Sequence, residues 1–119
     1  MNTIITNGSE LDVAVVERFF LAIEKLVADK VIRGLKTYTD RYNLNRRNLQ
    51  AVRNNPVAHT AGVRQCMLVY LIRDYRVSPY WLLLGDGDFY SAGFNADIVR
   101  QLQKTEYKPN VRSKQLTTA

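Results

Sequence analysis

Two adjacent cations, Arg46 and Arg47, open a polar segment, Arg46-Arg47-Asn48-Leu49-Gln50-Ala51-Val52-Arg53-Asn54, in which only Leu49 and Val52 are large and apolar. Those two are one helical turn apart, so a helix here buries the pair and turns its arginines outward. Upstream, Tyr38 and Tyr42 are again one turn apart. Between the pairs lies Asn43-Leu44-Asn45. Asparagine tolerates the left-handed backbone that ends a helix, and a second asparagine can N-cap the next one. Residues 37–55 therefore read as two short helices joined by a turn of three or four residues, a helix-turn-helix. Its second helix begins with guanidinium groups, where a DNA-reading helix meets base edges and phosphates.

The other reactive side chains offer less. Cys66 is the one cysteine and sits in the apolar run Cys-Met-Leu-Val-Tyr-Leu-Ile, the setting of a buried structural thiol in a reducing compartment. His59 has no second histidine and no cysteine at metal-binding spacing. Gly85-Asp86-Gly87-Asp88 lacks the further acidic ligands of a calcium loop and reads as a polar turn after a helix. No nucleophile–base pair or phosphate-cradling glycine loop is present. The expectation is a protein without enzymatic activity, metal or cofactor.

Charge is unevenly placed along the 119 residues, whose net charge is +6. Residues 1–29 carry five acidic side chains against two basic ones, whereas residues 30–80 carry ten basic against two acidic. The basic excess surrounds the helix-turn-helix, as expected of a polyanion-binding protein whose contacts release phosphate counterions. Lys36, Thr37, Arg41 and Arg53 are the phosphate-contact candidates.

Apolar periodicity supplies the elements that must position these groups. Ser9, with Asp12 three residues on, is a candidate N-cap. Val16, Phe19, Phe20, Ile23, Leu26 and Val27 then recur at helical intervals, predicting a first helix from about Leu11 to Lys30 despite the β-branched run at Val13–Val16. Gly34 marks the break before the second helix, and Asn54-Asn55-Pro56 ends the third. Thr60 is placed to cap a fourth helix, carrying Val63, Met67, Tyr70 and Leu71 and ending near Tyr75. Ser78-Pro79 starts a fifth, which stops at Gly85. Asn95 can cap a short extra C-terminal helix with Ile98 and Leu102 as its apolar stripe.

The expected organisation is all-α: a flexible N-terminus (1–8), a DNA-binding domain (9–90), a C-terminal extension (91–107) and a basic, disordered tail (108–119). The N-terminus has neither the basic nor the apolar region of a signal peptide, and no apolar stretch has membrane-spanning length, so a cytoplasmic location is expected. Tyr38 and Tyr42 need hydrogen-bond partners if they are buried, and Trp81 reads as a core anchor.

Val77-Ser-Pro-Tyr-Trp-Leu-Leu-Leu-Gly-Asp-Gly-Asp-Phe-Tyr90, downstream of the turn, resembles the end of the DNA-binding domain in lambda-type phage repressors and related Xre-type regulators. Their short fifth helix often reads Val-Ser-x-x-Trp-Leu-Leu-x-Gly-x-Gly. The resemblance covers residues 16 to 90 and implies a five-helix repressor-like bundle that binds double-stranded DNA as a dimer on a pseudo-palindromic site. It makes Asn45, Arg46 and Arg47 the start of the recognition helix, with Gln50 and Ala51 one turn further on and Asn54 near its end. In those positions an arginine can donate twice to guanine, Gln50 can pair with an adenine edge, and Ala51 can touch a thymine methyl.

This chain departs from the family pattern in three places. Asn43 stands where glycine is common in the turn. Arg53-Asn54-Asn55 replaces the usual Glu-x-Gly. Lys36 or Thr37 stands near the glutamine that often opens the second helix. A homodimer through residues 88–105 is expected, because Phe89, Tyr90, Phe94, Ile98 and Leu102 exceed what a five-helix core needs. The alternative is a protein-interaction module with the same fold, such as an antitoxin or adaptor.

Overall fold

The first helix, α1 (Gly8–Ala28), forms around the predicted stripe: Val16, Phe19, Phe20, Ala22, Ile23 and Leu26 are all buried. The computed structural model describes residues 7–104, with side chains through Leu102. The N-cap of α1 is Asn7 and not Ser9. Its side chain accepts from the backbone N–H of Glu10 at 2.9 Å, so the three-residue spacing of the cap is kept but moved two residues upstream. Asn7 and Gly8 thus belong to the helix and not to a flexible N-terminus, and residues 1–6 lie outside the described residues.

Helix α1 ends one turn after Lys25, before the predicted Lys30. Lys30 itself is left-handed (φ 62°), and the Val31 N–H returns to the Leu26 carbonyl at 2.9 Å. This is the helix-ending turn that usually uses glycine. Helix α2 (Leu35–Tyr42) begins after Gly34, as expected, and α3 (Arg46–Asn54) ends before Pro56.

The fourth helix starts later than predicted. Thr60–Gly62 form a single 3₁₀ turn, and α4 runs Gln65–Asp74 after Arg64. The reason lies at Gly62, where a Cβ would overlap Cγ2 of Val52: the 3₁₀ turn lies directly against the buried side of α3. Leu71 of α4 is completely buried. The helix closes at Tyr75 through a left-handed Arg76 (φ 62°), with the Val77 N–H bonded to the Leu71 carbonyl at 3.1 Å.

Ser78 starts the next turn as predicted, its hydroxyl accepting from the N–H groups of Tyr80 and Trp81. Residues Tyr80–Leu84 coil as a π-helical turn, which ends at Gly85 (φ 78°). Arg18 of α1 reaches across to this turn: its Nε donates to the Leu82 carbonyl at 2.7 Å and its Nη2 to that of Leu83 at 2.8 Å. Leu82 is the residue the turn drives into the core. Trp81, expected to be the anchor, is only half-buried and packs edge-on against Phe89. A single antiparallel bridge, Val77 with Tyr90, folds the loop back on itself.

The extra helix exists: α5 (Ala96–Lys104) is capped by Asn95, which accepts from the N–H groups of Asp97 and Ile98. Its buried residue is Val99, however, and the predicted stripe of Ile98 and Leu102 is exposed. The described residues are all-α and contain no strand, and none of their helices is long and apolar enough to cross a membrane. The predicted tail, 108–119, lies outside the described residues.

Candidate nucleic-acid interface

Helices α2 and α3 meet through Asn43-Leu44-Asn45, and each asparagine has a distinct job. Asn43 is left-handed (φ 56°, ψ 49°), and the Leu44 N–H closes the end of α2 on the Thr39 carbonyl at 2.8 Å. Asn45 is extended, and its side-chain oxygen accepts from the Asn48 N–H at 3.0 Å. Its carbonyl also receives the Leu49 N–H. One of the four orphan donors of α3 is thereby satisfied before any ligand arrives.

Burial splits α3 cleanly. Leu49 and Val52 are 1% and 3% exposed, while Arg46, Arg47, Gln50, Ala51, Arg53 and Asn54 are all exposed. At helical spacing, Arg47, Gln50, Ala51 and Asn54 lie opposite the buried pair, with Arg46 and Arg53 at the flank. Among the described residues, Arg46, Arg47 and Arg53 form no ion pair and no side-chain hydrogen bond. The six base-edge candidates of the sequence thus share one short element. Asn45 alone has its amide oxygen already engaged in the cap.

The phosphate candidates are less uniform. Lys36 pairs with Asp40 at 2.6 Å, but both side chains are well exposed, so the pair contributes little and an incoming phosphate can replace it. Thr37 is half-buried in the first turn of α2, its N–H bonded to the Gly34 carbonyl. Arg41 points elsewhere: Nη1 donates to the Leu102 carbonyl of α5 at 2.7 Å and Nε to the Tyr42 hydroxyl at 3.1 Å. Its guanidinium also lies 5.4 Å from the centre of the Tyr42 ring. In this arrangement Arg41 ties α2 to α5, and Arg53, beside Arg46, is the phosphate candidate left exposed on the flank of α3.

Behind this surface, α2 is fixed to α4 by its tyrosines. Tyr38 is wholly buried and donates to the Met67 carbonyl at 2.8 Å. Tyr42 stacks on Tyr70 with ring centres 3.9 Å apart and donates to Asp74 at 2.6 Å. Arg73 holds both oxygens of Asp74, at 2.7 and 2.9 Å. Burial pushes both tyrosine hydroxyls well above their ordinary range, so they act as donors at every physiological pH. Burial also works to raise the Asp74 carboxyl, but the hydrogen bonds of Arg73 and Tyr42 and the charges of Arg73 and Arg41 outweigh it and hold the group below its usual value.

Sequence reasoning missed Gly62 and Asp74, which support the site from behind. Glycine at the 3₁₀ turn was the only local signal for the first. The second had none, because its partner Tyr42 is 32 residues away. The residues expected at a dimer contact separate into two groups. Phe89, Tyr90 and Phe94 pack against the core, with Tyr90 donating to Asp29 at 2.6 Å, while Ile98 and Leu102 remain exposed. Compared with protein-family models, with curated proteins and with solved structures, the chain finds no match.

Proposed function

We propose that this protein is a sequence-specific, repressor-like transcriptional regulator. It docks α3 as the recognition helix of a helix-turn-helix in the major groove of double-stranded DNA. The observation that carries this reading is the outer face of α3, where exposed Arg46, Arg47, Gln50, Ala51 and Asn54 stand on a helix held rigidly by Leu49 and Val52. Arginine and glutamine are the side chains that pair bidentately with guanine and adenine, and alanine accommodates a thymine methyl. A purely structural surface helix has no need of adjacent unpaired cations facing water. The exposed Ile98 and Leu102 on α5 support a homodimer that presents two such helices to half-sites one helical turn apart.

Fluorescence anisotropy of the full chain on random duplex DNA, across salt concentrations from about 50 to about 300 mM, tests the reading. The parent is expected to bind with a steep salt dependence. Arg46→Ala/Arg47→Ala should bind more weakly, with the slope of log K against log salt reduced by about 2. A parent that shows no salt-dependent binding, or a double variant with the same slope, would leave the adaptor or antitoxin reading in its place.

A further inference from the structure

The C-terminal helix is held against α2 by a side chain that DNA binding would otherwise use. Val99 is the buried residue of α5, while Ile98 and Leu102 are exposed. Two bonds from arginines to backbone add to this hold. Arg41 of α2 donates to the Leu102 carbonyl at 2.7 Å, and Arg100 of α5 donates to the Lys30 carbonyl at 2.9 Å. The helix has nine residues, too few to persist in water without its packing. Leaving the domain and losing the helix are therefore one event, and α5 has two arrangements, docked and released.

The chain before α5 is fastened separately. Phe94 stacks on Tyr90 with ring centres 3.6 Å apart, and Arg76 donates to the Ala92 carbonyl at 3.1 Å. The Ser91 N–H bonds to the Arg76 carbonyl at 2.7 Å. None of these contacts involves α5, so the helix can come away from Asn95 onward with the chain up to Phe94 left in place. A ligand biases such an element only if it binds its two arrangements differently. Arg41 supplies that difference. It stands one residue before the end of α2 and five before Arg46, where the recognition helix begins. Thr37, another phosphate candidate, is one turn before it on the same side of α2. With α5 docked, Nη1 of Arg41 is on the Leu102 carbonyl and Nε on the Tyr42 hydroxyl. The guanidinium keeps its charge there, and what α5 withholds is the direct contact. A phosphate oxygen is ionised and accepts about twice as strongly as a neutral carbonyl, so DNA and α5 compete for one donor.

We propose that α5 is an autoinhibitory latch: docked, it keeps Arg41 on the Leu102 carbonyl, and released, it lets Arg41 turn to a phosphate beside the recognition helix. The inference rests on the DNA reading and adds a regulation to it. The docked form dominates in the parent, so the latch lowers affinity without abolishing it. Linkage makes the effect mutual: release of α5 tightens DNA binding, and duplex DNA favours release of α5.

The test measures, on the full chain, hydrogen exchange in α5 and binding to random duplex DNA against salt. Val99→Asn sets a polar amide where α5 meets the core and is expected to speed exchange in α5 several-fold while the other helices keep theirs. It should bind duplex more tightly than the parent, with a slope of log K against log salt steeper by about 0.9, the signature of one added phosphate contact. Adding Arg41→Ala to Val99→Asn should return the slope to the parent value, because release then has no donor to give up. In the parent, saturating duplex should itself speed exchange in α5 several-fold. If Val99→Asn loses more helical circular dichroism than α5 accounts for, Arg100→Ala replaces it by removing the bond to the Lys30 carbonyl. That change takes away a cation, so a steeper slope cannot come from added charge. Four results overturn the latch and leave the DNA reading intact: exchange in α5 that neither substitution speeds, a released helix with an unchanged slope, a steeper slope that survives Arg41→Ala, or exchange in α5 that duplex leaves unchanged or slows. A parent that binds duplex without salt dependence removes both the reading and the latch.

Discussion

Tyr42→Phe removes one oxygen and leaves the ring, so it isolates the hydroxyl's share in fixing α2 to α4. The ring is 5% exposed and stacked on Tyr70, and phenylalanine keeps both properties. Two hydrogen bonds are lost: the one donated to Asp74 at 2.6 Å and the one accepted from Arg41 at 3.1 Å. A bond to a charged group contributes about 1.5–3 kcal/mol. The low end applies, because Arg73 still holds both Asp74 oxygens and Arg41 still has the Leu102 carbonyl.

The expected destabilisation at neutral pH is therefore about 1.5–2 kcal/mol, a fall in Tm of roughly 6–8 °C. It carries a pH signature. The Asp74 carboxyl lies below its ordinary value of 3.8 in the folded chain, so its contribution is present above that value and disappears as pH falls through the lower folded one. The difference between parent and variant should accordingly be full at about pH 7 and smaller at about pH 3, already below the ordinary value of 3.8, falling toward the loss of a neutral hydrogen bond alone as the folded carboxyl takes up its proton. Urea denaturation followed by circular dichroism at both pH values measures it. A gap that is the same at both pH values, or no gap at neutral pH, would refute the assignment of Asp74 as the partner that matters.

Two further substitutions probe the supports of the candidate interface. Gly62→Ala sets a methyl against Val52 and should cost about 1–3 kcal/mol, read from the denaturation midpoint, because a short branched side chain within the core cannot move aside freely. Arg41→Ala should leave the salt slope of DNA binding unchanged and speed hydrogen exchange in α5 at least several-fold. A reduced salt slope with unchanged α5 exchange would return Arg41 to the phosphate contacts.

The connection between α2 and α3 was legible in the sequence to the residue, because every signal in it is local. Asn43 and Asn45 need nothing beyond their neighbours to set a left-handed turn and an N-cap, and Ser78 and Gly85 bracket their turn in the same way. Where neighbouring residues compete for one task, the tertiary fold decides. Asn7 displaces Ser9 because the helix extends far enough to use it, and the start of α4 moves past Thr60 because that segment packs on Val52. The ends of α1 and α4 were harder to read, since Lys30 and Arg76 adopt the left-handed conformation usually signalled by glycine. In α5 the pattern of Ile98 and Leu102 gave the right period and the wrong face. Val99 is the residue the core accepts, and tertiary bonds from Arg41 to the Leu102 carbonyl and from Arg100 to the Lys30 carbonyl accompany that rotation. For the same reason the tyrosine hydroxyls were known to need partners, but Met67 and Asp74 were not identifiable from sequence.

The bonds from Arg18 to the π-helical turn also bear on the order in which the domain assembles. They span 64 and 65 positions of chain, and closing a loop of that length costs roughly 4 kcal/mol of entropy. Two hydrogen bonds from a guanidinium, about 1.5–3 kcal/mol each, do little more than offset that cost, which falls once α1 and the intervening helices have already gathered. The turn is thus completed as a late event, and a peptide of residues 77–90 lacks the Arg18 that holds the Leu82 and Leu83 carbonyls. In the finished domain, Arg18 fastens the π-helical turn to the N-terminal helix of the chain.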